Sequence, residues 1–398
     1  MMAEWTATLL LLPLLIGHLA LFVLVLNITH SVSMPDRWLT AINITLLGAT
    51  LVVAPLLVTQ GHWSGWSAVP RAYALLCLAT CLVGLPLVTI LRAARRLPDD
   101  IKVQGDVVDL AGDRGAGSFV GEGKHGWLLR LPGNRSLRLG RVECELSLPG
   151  LPRSLDGLTL VQLTDFHFAH CYRREFFEAV AEEAARWDAD LVVFTGDLLD
   201  DPATMDWVDP VFSGLRGRYG QYAILGNHDH RLRPGRARRA LRRAGFVDLE
   251  GRWETLAVGG ATLAIGGTSA PWGPSIDYSG MREADFRIVL SHSPDQFPRA
   301  ASAGVELVLA GHNHGGQIRL PVLGPILMPS RYSRHFDRGF FRSGERGSTL
   351  YVSQGVGGKH PIRYGCTPEI TRFTLKAAGM ARLPQAREQA DSGLVRGA

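Results

Sequence analysis

Charged residues are almost absent from the first ninety positions of this 398-residue chain. No Asp, Glu, Lys or Arg occurs between Glu4 and Asp36, between Arg37 and Arg71, or between Arg71 and Arg92. A helix needs about 20 apolar residues to cross a bilayer core, and each uncharged stretch is long enough. The sequence therefore predicts an all-α transmembrane region of three helices, over about residues 5–28, 39–58 and 72–91.

Aromatic residues support the membrane interpretation of this region. Trp5, Trp38, Trp63 and Trp66 stand near the predicted boundaries with water, where Trp is enriched in membrane proteins. A cleaved signal peptide is the alternative for the first span. It is disfavoured because Glu4 stands where a signal peptide is basic, and because no small-x-small cleavage site follows.

The few basic residues near the spans predict their orientation. Arg37 lies in the first loop, the second loop has no basic residue before Arg71, and Arg92, Arg95 and Arg96 follow the third span. Cytoplasmic loops carry the excess of Lys and Arg. We therefore expect a multi-pass protein of the cell membrane, with its amino terminus outside and the rest of the chain after the spans in the cytoplasm.

Cysteine is scarce as well, with five residues in the whole chain. Cys77 and Cys81 fall inside the third predicted span, and Cys144, Cys171 and Cys366 are scattered without a C-x-x-C spacing. The sequence therefore does not indicate a disulfide framework or a cysteine-ligated metal. A reducing compartment is compatible with this pattern.

Five short apolar runs in the second half of the chain each end on polar residues able to bind a metal. Runs this short and rich in Val, Ile and Leu are typical of buried strands. The polar clusters that follow them are Asp165-Phe166-His167, Gly196-Asp197-Leu198-Leu199-Asp200, Gly226-Asn227-His228-Asp229, His292 and Gly311-His312-Asn313-His314. In open α/β sheets, ligands bind beyond the carboxyl ends of the strands. The five clusters therefore predict one site.

The residue types in these clusters indicate the kind of metal centre. Two Asp, one Asn and four His offer more donors than a single tetrahedral zinc ion accepts. Two divalent ions that share one carboxylate fit the number better, and Asp197 is the natural bridge. Mn, Fe, Zn and Mg all accept such ligands, so the sequence does not choose among them.

The order of the clusters resembles a known family. Asp-x-His, Gly-Asp-x-x-Asp, Gly-Asn-His-Asp, an isolated His and Gly-His-x-His is similar to the motif order of the calcineurin-like metallophosphoesterases. The resemblance runs from about Leu151 to about Leu375. The segments Gly315–Pro321 and Pro361–Ile370 look like the membrane-associated branch of that family, which includes phosphodiesterases that cleave UDP-diacylglucosamine.

This resemblance implies a fold and a role for each site residue. The fold would be α/β, a four-layer α-β-β-α sandwich of two sheets face to face with helices outside. One metal would be bound by Asp165, His167, Asp197 and His314. The other would be bound by Asp197, Asn227, His292 and His312. His228 would be the proton donor, and Asp200 would orient it.

The resemblance also bears on the residues around the metals. Asp229 and Gln317 are expected to support the ligands, and Arg319, His360 and Arg363 are candidates to bind the substrate phosphate. One departure from the family pattern follows the first motif, where many relatives have a small residue and this chain has Phe168-Ala169-His170. The departure concerns the shape of the substrate pocket and not the metals.

Composition divides the chain into four parts. We expect the transmembrane region over 1–96, a linker with leading strands over 97–150, the catalytic domain over 151–375 and a disordered tail over 376–398. The runs Trp127–Leu131 and Leu137–Leu148 are the expected leading strands, and Arg173–Trp187 has the apolar spacing of an amphipathic helix.

A basic segment follows the Asn227-His228 loop. Its arginines are Arg231, Arg233, Arg236, Arg238, Arg239, Arg242 and Arg243. A solvated helix face is one interpretation, because nearly all basic residues of this chain are Arg. Contact with anionic lipid headgroups is another. Nucleic acid is not expected, since a membrane tether would prevent sliding along it.

The expected function is metal-dependent hydrolysis of a phosphodiester, phosphomonoester or pyrophosphate bond by a hydroxide bound between the two ions. A lipid or lipid-linked substrate is favoured, because the stretch from Arg92 to Asp100 keeps the start of the soluble part within roughly 30 Å of the bilayer. Two alternatives remain. A dinuclear hydrolase of the amidase type would not need Asn227, and a non-enzymatic or regulatory scaffold would be expected to have lost ligands.

Overall fold

The computed structural model describes residues 2–59, 67–112, 115–332, 334–343 and 347–378. A helical region comes first and an α/β domain follows it. The predicted disordered tail lies mostly outside the described residues, as do Trp63 and Trp66.

The amino-terminal region consists of helices. They are α1 (Met2–His30), α2 (Asp36–Thr59), α3 (Ala68–Ala79) and α4 (Leu85–Ala93), and a π-helical turn over Thr80–Gly84 joins the last two. Within the described residues, two segments are long and apolar enough to cross a membrane, Leu10–His30 and Ala68–Ala93. The sequence predicted three such segments. The middle one coincides with α2, which is helical but is not among these two.

Close packing joins α1 to α3. A Cβ atom on Gly17 would lie 1.9 Å from the carbonyl oxygen of Cys77, so the two backbones approach each other where only glycine fits. His18 Nδ1 lies 2.5 Å from the hydroxyl of Tyr73. Small residues and polar side chains of this kind are typical of contacts between membrane helices.

Two sheets form the α/β domain. The first sheet has the order β1-β2-β15-β3-β4-β5-β6. Its strands are β1 (Ile101–Asp109), β2 (Arg138–Leu148), β3 (Thr159–Leu163), β4 (Leu191–Thr195), β5 (Gln221–Ile224), β6 (Val247–Asp248) and β15 (Glu369–Ala377). The second sheet has the order β13-β14-β10-β9-β8-β7. Its strands are β7 (Trp253–Val258), β8 (Ala261–Thr268), β9 (Phe286–Ser291), β10 (Leu307–Ala310), β13 (Gly339–Arg342) and β14 (Thr349–Val352). A hairpin of β11 (Arg319–Leu320) and β12 (Gly324–Pro325) stands apart from both.

The apolar core lies in three layers. One cluster, which includes Leu160, Val193 and Leu309, fills the space between the sheets. Helices cover the outer faces of both sheets. They are α5 (Arg174–Ala185), α6 (Val208–Phe212), α8 (Pro234–Arg243) and α9 (Phe297–Ser302), whereas the short helix α7 (Asn227–Arg231) follows the carboxyl end of β5. The result is a mixed α/β sandwich whose central parallel strands are buried on both faces, which explains their continuous apolar runs.

The predicted amphipathic helix is confirmed as α5. The helix buries one apolar face against the first sheet, with Phe176, Phe177, Val180 and Ala184. Phe166 and Phe168 are buried in the same aromatic cluster, so these residues of the departing motif belong to the core.

The segment before residue 151 is more structured than a linker. β1 pairs with β2, and β2 pairs in parallel with β15, so both strands extend the first sheet. The run Trp127–Leu131 is not a strand, because a 3-10 helix occupies Gly126–Arg130. The amide of Asn134 donates to the carbonyl of Leu128 and bends the chain there, and Leu129 enters the core from this turn.

All five apolar runs before the polar clusters are strands, namely β3, β4, β5, β9 and β10. β3, β4 and β5 run parallel in one sheet, and β9 and β10 run parallel in the other. Their carboxyl ends therefore bring the polar clusters together at one edge of the sandwich.

Candidate metal centre

The polar clusters form two adjoining groups of side chains. Potential ligand atoms of Asp165, His167, Asp197 and His314 lie within 4.8 Å of one another, and so do those of Asp197, His292 and His312. Asn227 joins the second group, because its Oδ1 is 3.0 Å from His292 Nε2. Asp197 Oδ2 lies 3.4 Å from both His167 Nε2 and His292 Nε2. Asp197 is therefore common to the two groups.

Backbone conformation aims these side chains at one point. Five site residues adopt the left-handed region that non-glycine residues rarely use. They are Asp165 (φ 54°), His167 (φ 50°), Asp197 (φ 56°), His312 (φ 70°) and His314 (φ 48°). Such conformations cost about 1–3 kcal/mol each and persist where the surrounding fold imposes them. The strain is concentrated at the strand ends that carry the polar clusters.

Two glycines allow the loops to meet. Gly196 has φ 99°, and a Cβ atom there would lie 2.7 Å from His292 Nδ1. A Cβ atom on Gly226 would lie 2.0 Å from Asp197 Oδ1. The Asp197 loop and the Asn227 loop can therefore touch only because neither glycine has a side chain.

Hydrogen bonds orient three of the histidine rings. His167 Nδ1 is 3.1 Å from Asp200 Oδ2, and His292 Nδ1 donates to the carbonyl of Thr195 at 2.9 Å. His312 Nε2 donates to the carbonyl of Pro329 at 2.8 Å. In each case the other ring nitrogen remains available to the centre, which is the usual arrangement of metal-binding histidines.

His314 differs from the other three. Arg363 Nη2 lies 3.2 Å from His314 Nδ1, and a guanidinium only donates hydrogen bonds. This contact fixes the ring, and His314 Nε2, which lies 3.7 Å from Asp165 Oδ1, faces the centre.

Charge in the centre favours a cation. Burial raises the pKa of Asp197, but the charges of His292 and the other nearby histidines outweigh burial and hold this pKa well below its ordinary value. Burial lowers the pKa of His292, but the Asp197 carboxylate outweighs it and raises the pKa to about 9. Burial also lowers the pKa of His167, but the carboxylates of Asp200 and Asp197 outweigh it and raise this pKa to about 9. The carboxylates thus stabilise positive charge at the place where a metal ion would be bound.

The other two histidines are neutral at pH 7. Burial and the charge of His292 lower the pKa of His312 to about 3. Burial and the charge of His167 hold the pKa of His314 well below its ordinary value. Neutral imidazole is the form that binds a metal, so the donor set fits a cation centre.

His228 lies at the open side of the centre. Its Nδ1 contacts Asp200 Oδ1, and its backbone N–H donates to Asp197 Oδ1 at 2.9 Å. Its side chain is 23% exposed, whereas those of Asp165 and Asp197 are buried. Asp200 contacts both His228 and His167. Burial raises the pKa of Asp200, but these two histidines outweigh it and keep the pKa far below its ordinary value.

Asp229 and Gln317 support the loops through the backbone. Asp229 accepts hydrogen bonds from the N–H groups of Leu198, Leu199 and Gly226, so it joins the Asp197 loop to the Asn227 loop. Burial, helped by the Asp197 charge, raises the pKa of Asp229 to about 6. Gln317 donates its N–H to the carbonyl of His314 at 3.1 Å.

Two of the three expected phosphate-binding residues make hydrogen bonds inside the protein. Arg363 is 1% exposed, and its nitrogens donate to the carbonyls of His314, Gln354 and Gly357. Arg319 donates to the carbonyl of Gly315 and to Asp337 Oδ2. Both guanidinium groups hydrogen-bond within the protein and support the His314 turn, and phosphate binding by Arg319 and Arg363 stays a prediction.

His360 is different because it is exposed at the rim. Its ring lies 4.6 Å from that of His125, a residue that the sequence did not single out. Burial, with the charges of His125 and Lys359, lowers the pKa of His360, and Asp200 acts in the opposite direction. His360 therefore lies within electrostatic reach of the centre.

Sequence reasoning missed three further residues. Thr164 Oγ1 donates to Asp165 Oδ2 at 2.8 Å, and Glu250 accepts the N–H of Leu225 at the end of β5. The ring of Trp272 lies 4.8 Å from that of His312, and its Nε1 has no hydrogen-bond partner among the described residues. Thr164 directly precedes a motif, but nothing in the sequence near Trp272 or Glu250 marks them.

The sandwich of mixed sheets and the Asp/His/Asn centre at its strand ends define a metal-dependent hydrolase of phosphoric esters. The profile of the calcineurin-like phosphoesterase family matches residues 158–316. The chain belongs to this family of metallophosphoesterases, whose members use dinuclear metal sites.

Curated relatives support this assignment. This chain is 33% identical to the uncharacterized metallophosphoesterase YkuE of Bacillus subtilis over 237 residues, 57% of this chain and 82% of YkuE. It is 27% identical to the phosphodiesterase YaeI of Escherichia coli over 219 residues, 54% of this chain and 80% of YaeI. It is 25% identical to the UDP-2,3-diacylglucosamine pyrophosphatase LpxG of Chlamydia trachomatis over 280 residues, 56% of this chain and 85% of LpxG.

Proposed function

We propose that this chain is a membrane-anchored phosphoesterase that hydrolyses a lipid or lipid-linked phosphoester or pyrophosphate. Two linked contacts between the helical region and the metal centre carry the proposal. Asn27 in the last turn of α1 accepts the N–H of Met328 at 2.9 Å, and the carbonyl of the next residue, Pro329, accepts His312 Nε2 at 2.8 Å. The end of an apolar helix and the metal centre are thus joined through two adjacent residues.

The proposed metal ligands follow the two groups of side chains. Asp165, His167, Asp197 and His314 would hold one ion, and Asp197, Asn227, His292 and His312 the other. The fit is supported by the raised pKa values of His167 and His292, because the same carboxylates would neutralise a divalent cation. When bound, two such ions supply an activated water nucleophile and neutralise charge on the phosphoryl oxygens.

His228 is the proposed general acid. Its side chain is 23% exposed at the open side of the centre, so a leaving oxygen can reach it. Asp200 fixes the ring through Nδ1, so Nε2 is the nitrogen that would donate a proton to the leaving oxygen. Protonation of the leaving group by such a residue contributes roughly 10²–10⁴-fold in rate.

Three membrane spans are proposed because three helix ends contact the catalytic domain. The carboxyl end of α1, the amino end of α2 and the carboxyl end of α4 all contact the catalytic domain, through Asn27, Asp36 and Arg92. If α1, α2 and the α3–α4 segment each cross the bilayer, these three ends lie on one side, as they must. The positive-inside rule then places the catalytic domain in the cytoplasm.

A lipid-linked substrate is supported by the position of the centre beside the helix ends. The relative LpxG is named for a pyrophosphatase of UDP-2,3-diacylglucosamine, a nucleotide-linked lipid. A diffusing metabolite would gain nothing from a centre held against the bilayer, whereas an anchored enzyme has a raised effective concentration over a lipid substrate.

The arginines of α8 do not carry this proposal. Arg238 and Arg242 pair with Asp248, and Arg243 lies 3.4 Å from Asp209. These three arginines are paired within the domain, which favours a solvated face over headgroup contact. The amidase and scaffold alternatives are disfavoured because Asn227 lies against His292 and each ligand position of the family pattern is filled.

The test uses the purified full chain, loaded with Mn, Fe, Zn or Mg in turn. It is reconstituted in vesicles and offered phospholipids, a nucleotide-linked lipid, soluble nucleotides and the soluble diester bis(p-nitrophenyl) phosphate. We expect metal-dependent hydrolysis of a lipid phosphoester and slower hydrolysis of the soluble diester. Turnover of soluble nucleotides alone, with none of any lipid, would overturn the lipid part of the proposal.

A further inference from the structure

An exposed apolar patch lies on the β11–β12 hairpin and the loop after it. Of the eight large apolar side chains exposed beyond residue 97 in the described chain, five fall between positions 320 and 332. They are Leu320, Val322, Leu323, Leu327 and Tyr332, and Val322 is the most exposed at 78%. Large apolar side chains exposed this close together in sequence indicate a surface that is covered in use.

The patch stands at the level of the last turns of two apolar helices. Arg92, one residue before the end of α4, donates to the carbonyl of Val322. Asn27, three residues before the end of α1, accepts the N–H of Met328. Since an α-helix rises about 1.5 Å per residue, these contacts lie within about 5 Å of the helix ends. The patch therefore continues the apolar surface of the helices.

Basic side chains surround the patch. Arg331 is exposed beside Tyr332. Burial, helped by the nearby charge of Arg92, lowers the pKa of Arg334, so Arg92 and Arg334 lie close together. An apolar tip flanked by arginines matches the bilayer interface, where apolar side chains enter the acyl boundary and arginines meet anionic headgroups. A soluble protein partner would not require the patch to continue the surface of membrane helices.

The base of the patch is fixed to the metal centre. A Cβ atom on Gly316 would lie 2.3 Å from Pro325 Cβ, so the hairpin packs directly on the turn that carries His314. The Pro329 carbonyl holds His312, and Ser330 Oγ donates to Asp295 at 2.5 Å. The tip is free to contact lipid, while its base is held in position beside the metal ligands.

We propose that the segment Leu320–Leu327, the apolar hairpin, inserts into the bilayer interface and positions the metal centre over lipid phosphates. This inference rests on the proposed membrane anchoring and names the element that gives the site access to lipid. Its occupant is the acyl boundary of the bilayer, and no contact with a second protein is required.

The first test measures whether position 322 enters the bilayer, and it needs no substrate. The full chain with Val322→Cys is labelled with an environment-sensitive fluorophore and reconstituted in vesicles of phosphatidylethanolamine and phosphatidylglycerol that contain a spin-labelled lipid. The control is Val107→Cys, a valine of similar type that is 58% exposed on the edge strand β1. Labelled wild-type protein gives the background from the native cysteines, four of which are buried.

Quenching at position 322 and not at position 107 is the expected result. Equal quenching at both positions, or none at 322, would overturn the inference. A probe at 322 shielded from both the lipid quencher and aqueous iodide would mean that protein covers the patch, which also contradicts it.

The second test measures access to lipid. Val322→Asp should lower hydrolysis of a vesicle-borne lipid phosphoester by about tenfold, because a charge would replace the apolar side chain that enters the bilayer interface. Hydrolysis of bis(p-nitrophenyl) phosphate should stay at the wild-type level, and Val107→Asp should change neither rate. An equal loss on both substrates, or no loss on lipid, would count against the hairpin.

The two tests separate the inference from the proposed function. Lipid quenching at 322 in a protein that hydrolyses no lipid would leave the hairpin in the bilayer and remove the lipid substrate. Lipid hydrolysis without quenching at 322 would keep the lipid substrate and show that the hairpin does not enter the bilayer.

Discussion

Asp197 belongs to both groups of side chains in the centre, and its carboxylate has four kinds of neighbour. It faces His167 and His292, accepts the N–H of His228 and lies against Gly226. The isosteric residue Asn would keep the shape of this side chain but lose the negative charge and one of the two acceptor oxygens. We therefore regard it as the residue on which the whole centre depends.

Asp197→Ala should lower metal content from two ions per chain to fewer than one and reduce phosphodiesterase activity to background. The measurement is elemental analysis of the purified protein together with hydrolysis of an aryl diester. Asp209→Ala, a change at a half-exposed surface carboxylate, serves as the control. Full activity in Asp197→Ala protein would contradict the shared-carboxylate centre.

His228→Ala should retain both metals and lose rate according to the leaving group. For an alkyl ester, whose leaving oxygen needs a proton, we expect a loss of roughly 10²–10⁴-fold. For a p-nitrophenyl ester the loss should be much smaller, because that leaving group departs as an anion. Equal losses for the two esters would show that His228 is not the general acid.

At the level of elements, short turns hold the loops of the centre against one another. The turn from β5 into α7 brings Gly226 against the Asp197 carboxylate, with only 2.0 Å between that oxygen and a Cβ atom placed on Gly226. The turn from β10 brings His312 and His314 into the centre, and the Arg319–Asp337 ion pair and buried Arg363 support it. The strands are rigid, so a change in one turn acts directly on ligand positions.

Gly226→Ala should therefore weaken metal binding while the fold is kept. We expect a loss of roughly 10–100-fold in metal affinity, similar to the loss of a side chain that orients a ligand. Gly235→Ala is the matched control, because a Cβ atom there meets only the end of Arg239, at 3.6 Å. Metal titration followed by calorimetry compares the two variants, and equal affinities would contradict this account of the turn.

Asp337 joins the end of the helical region to the turn after His314. It accepts from Arg95 at 3.0 Å and from Arg319 at 2.8 Å and is 1% exposed. Burial raises the pKa of Asp337, but the Arg95 charge and the Arg319 hydrogen bond outweigh it and hold this pKa below its ordinary value. The ion pair therefore stabilises the protein above the ordinary aspartate pKa, about 4, and this contribution is lost as pH falls through the lower folded pKa.

Asp337→Asn should lower the stability of the protein by about 3 kcal/mol at pH 7, because it leaves Arg319 buried without its partner. The melting temperature of wild-type protein should fall as pH drops below about 4, and this component should be missing in the variant. Thermal unfolding in detergent across pH measures both effects. An unchanged melting temperature at neutral pH would show that the ion pair contributes nothing.

At the scale of the whole molecule, three helix ends and the catalytic domain meet on one side. This arrangement, with Arg92, Arg95 and Arg96 after the last helix, predicts a cytoplasmic catalytic domain. A reporter that is active only outside the cytoplasm, fused at the carboxyl end of the chain, should therefore be silent. The same reporter fused at the amino end should be active, and the opposite pair of results would reverse the proposed topology.

The amino-acid sequence by itself determined the strands that carry the site and the order of the polar clusters. It did so because parallel strands buried on both faces need continuous apolar runs, and because the residues after such runs meet at one sheet edge. The helix α5 followed from its apolar spacing in the same way. The uncharged segments also indicated helices of membrane length, of which two are clear in the structure.

Tertiary structure alone decided which polar residues are exposed near the centre and which support the fold. Arg319 and Arg363 follow the site motifs in sequence, yet the folded chain buries Arg363 and pairs Arg319 with Asp337, some distance along the chain. Trp272 and Glu250 reach the centre from loops that carry no motif. The exposed side of the β11–β12 hairpin and its contact with Arg92 depend on packing between two distant segments. Local patterns determine elements, whereas burial and partners depend on which elements the fold brings together.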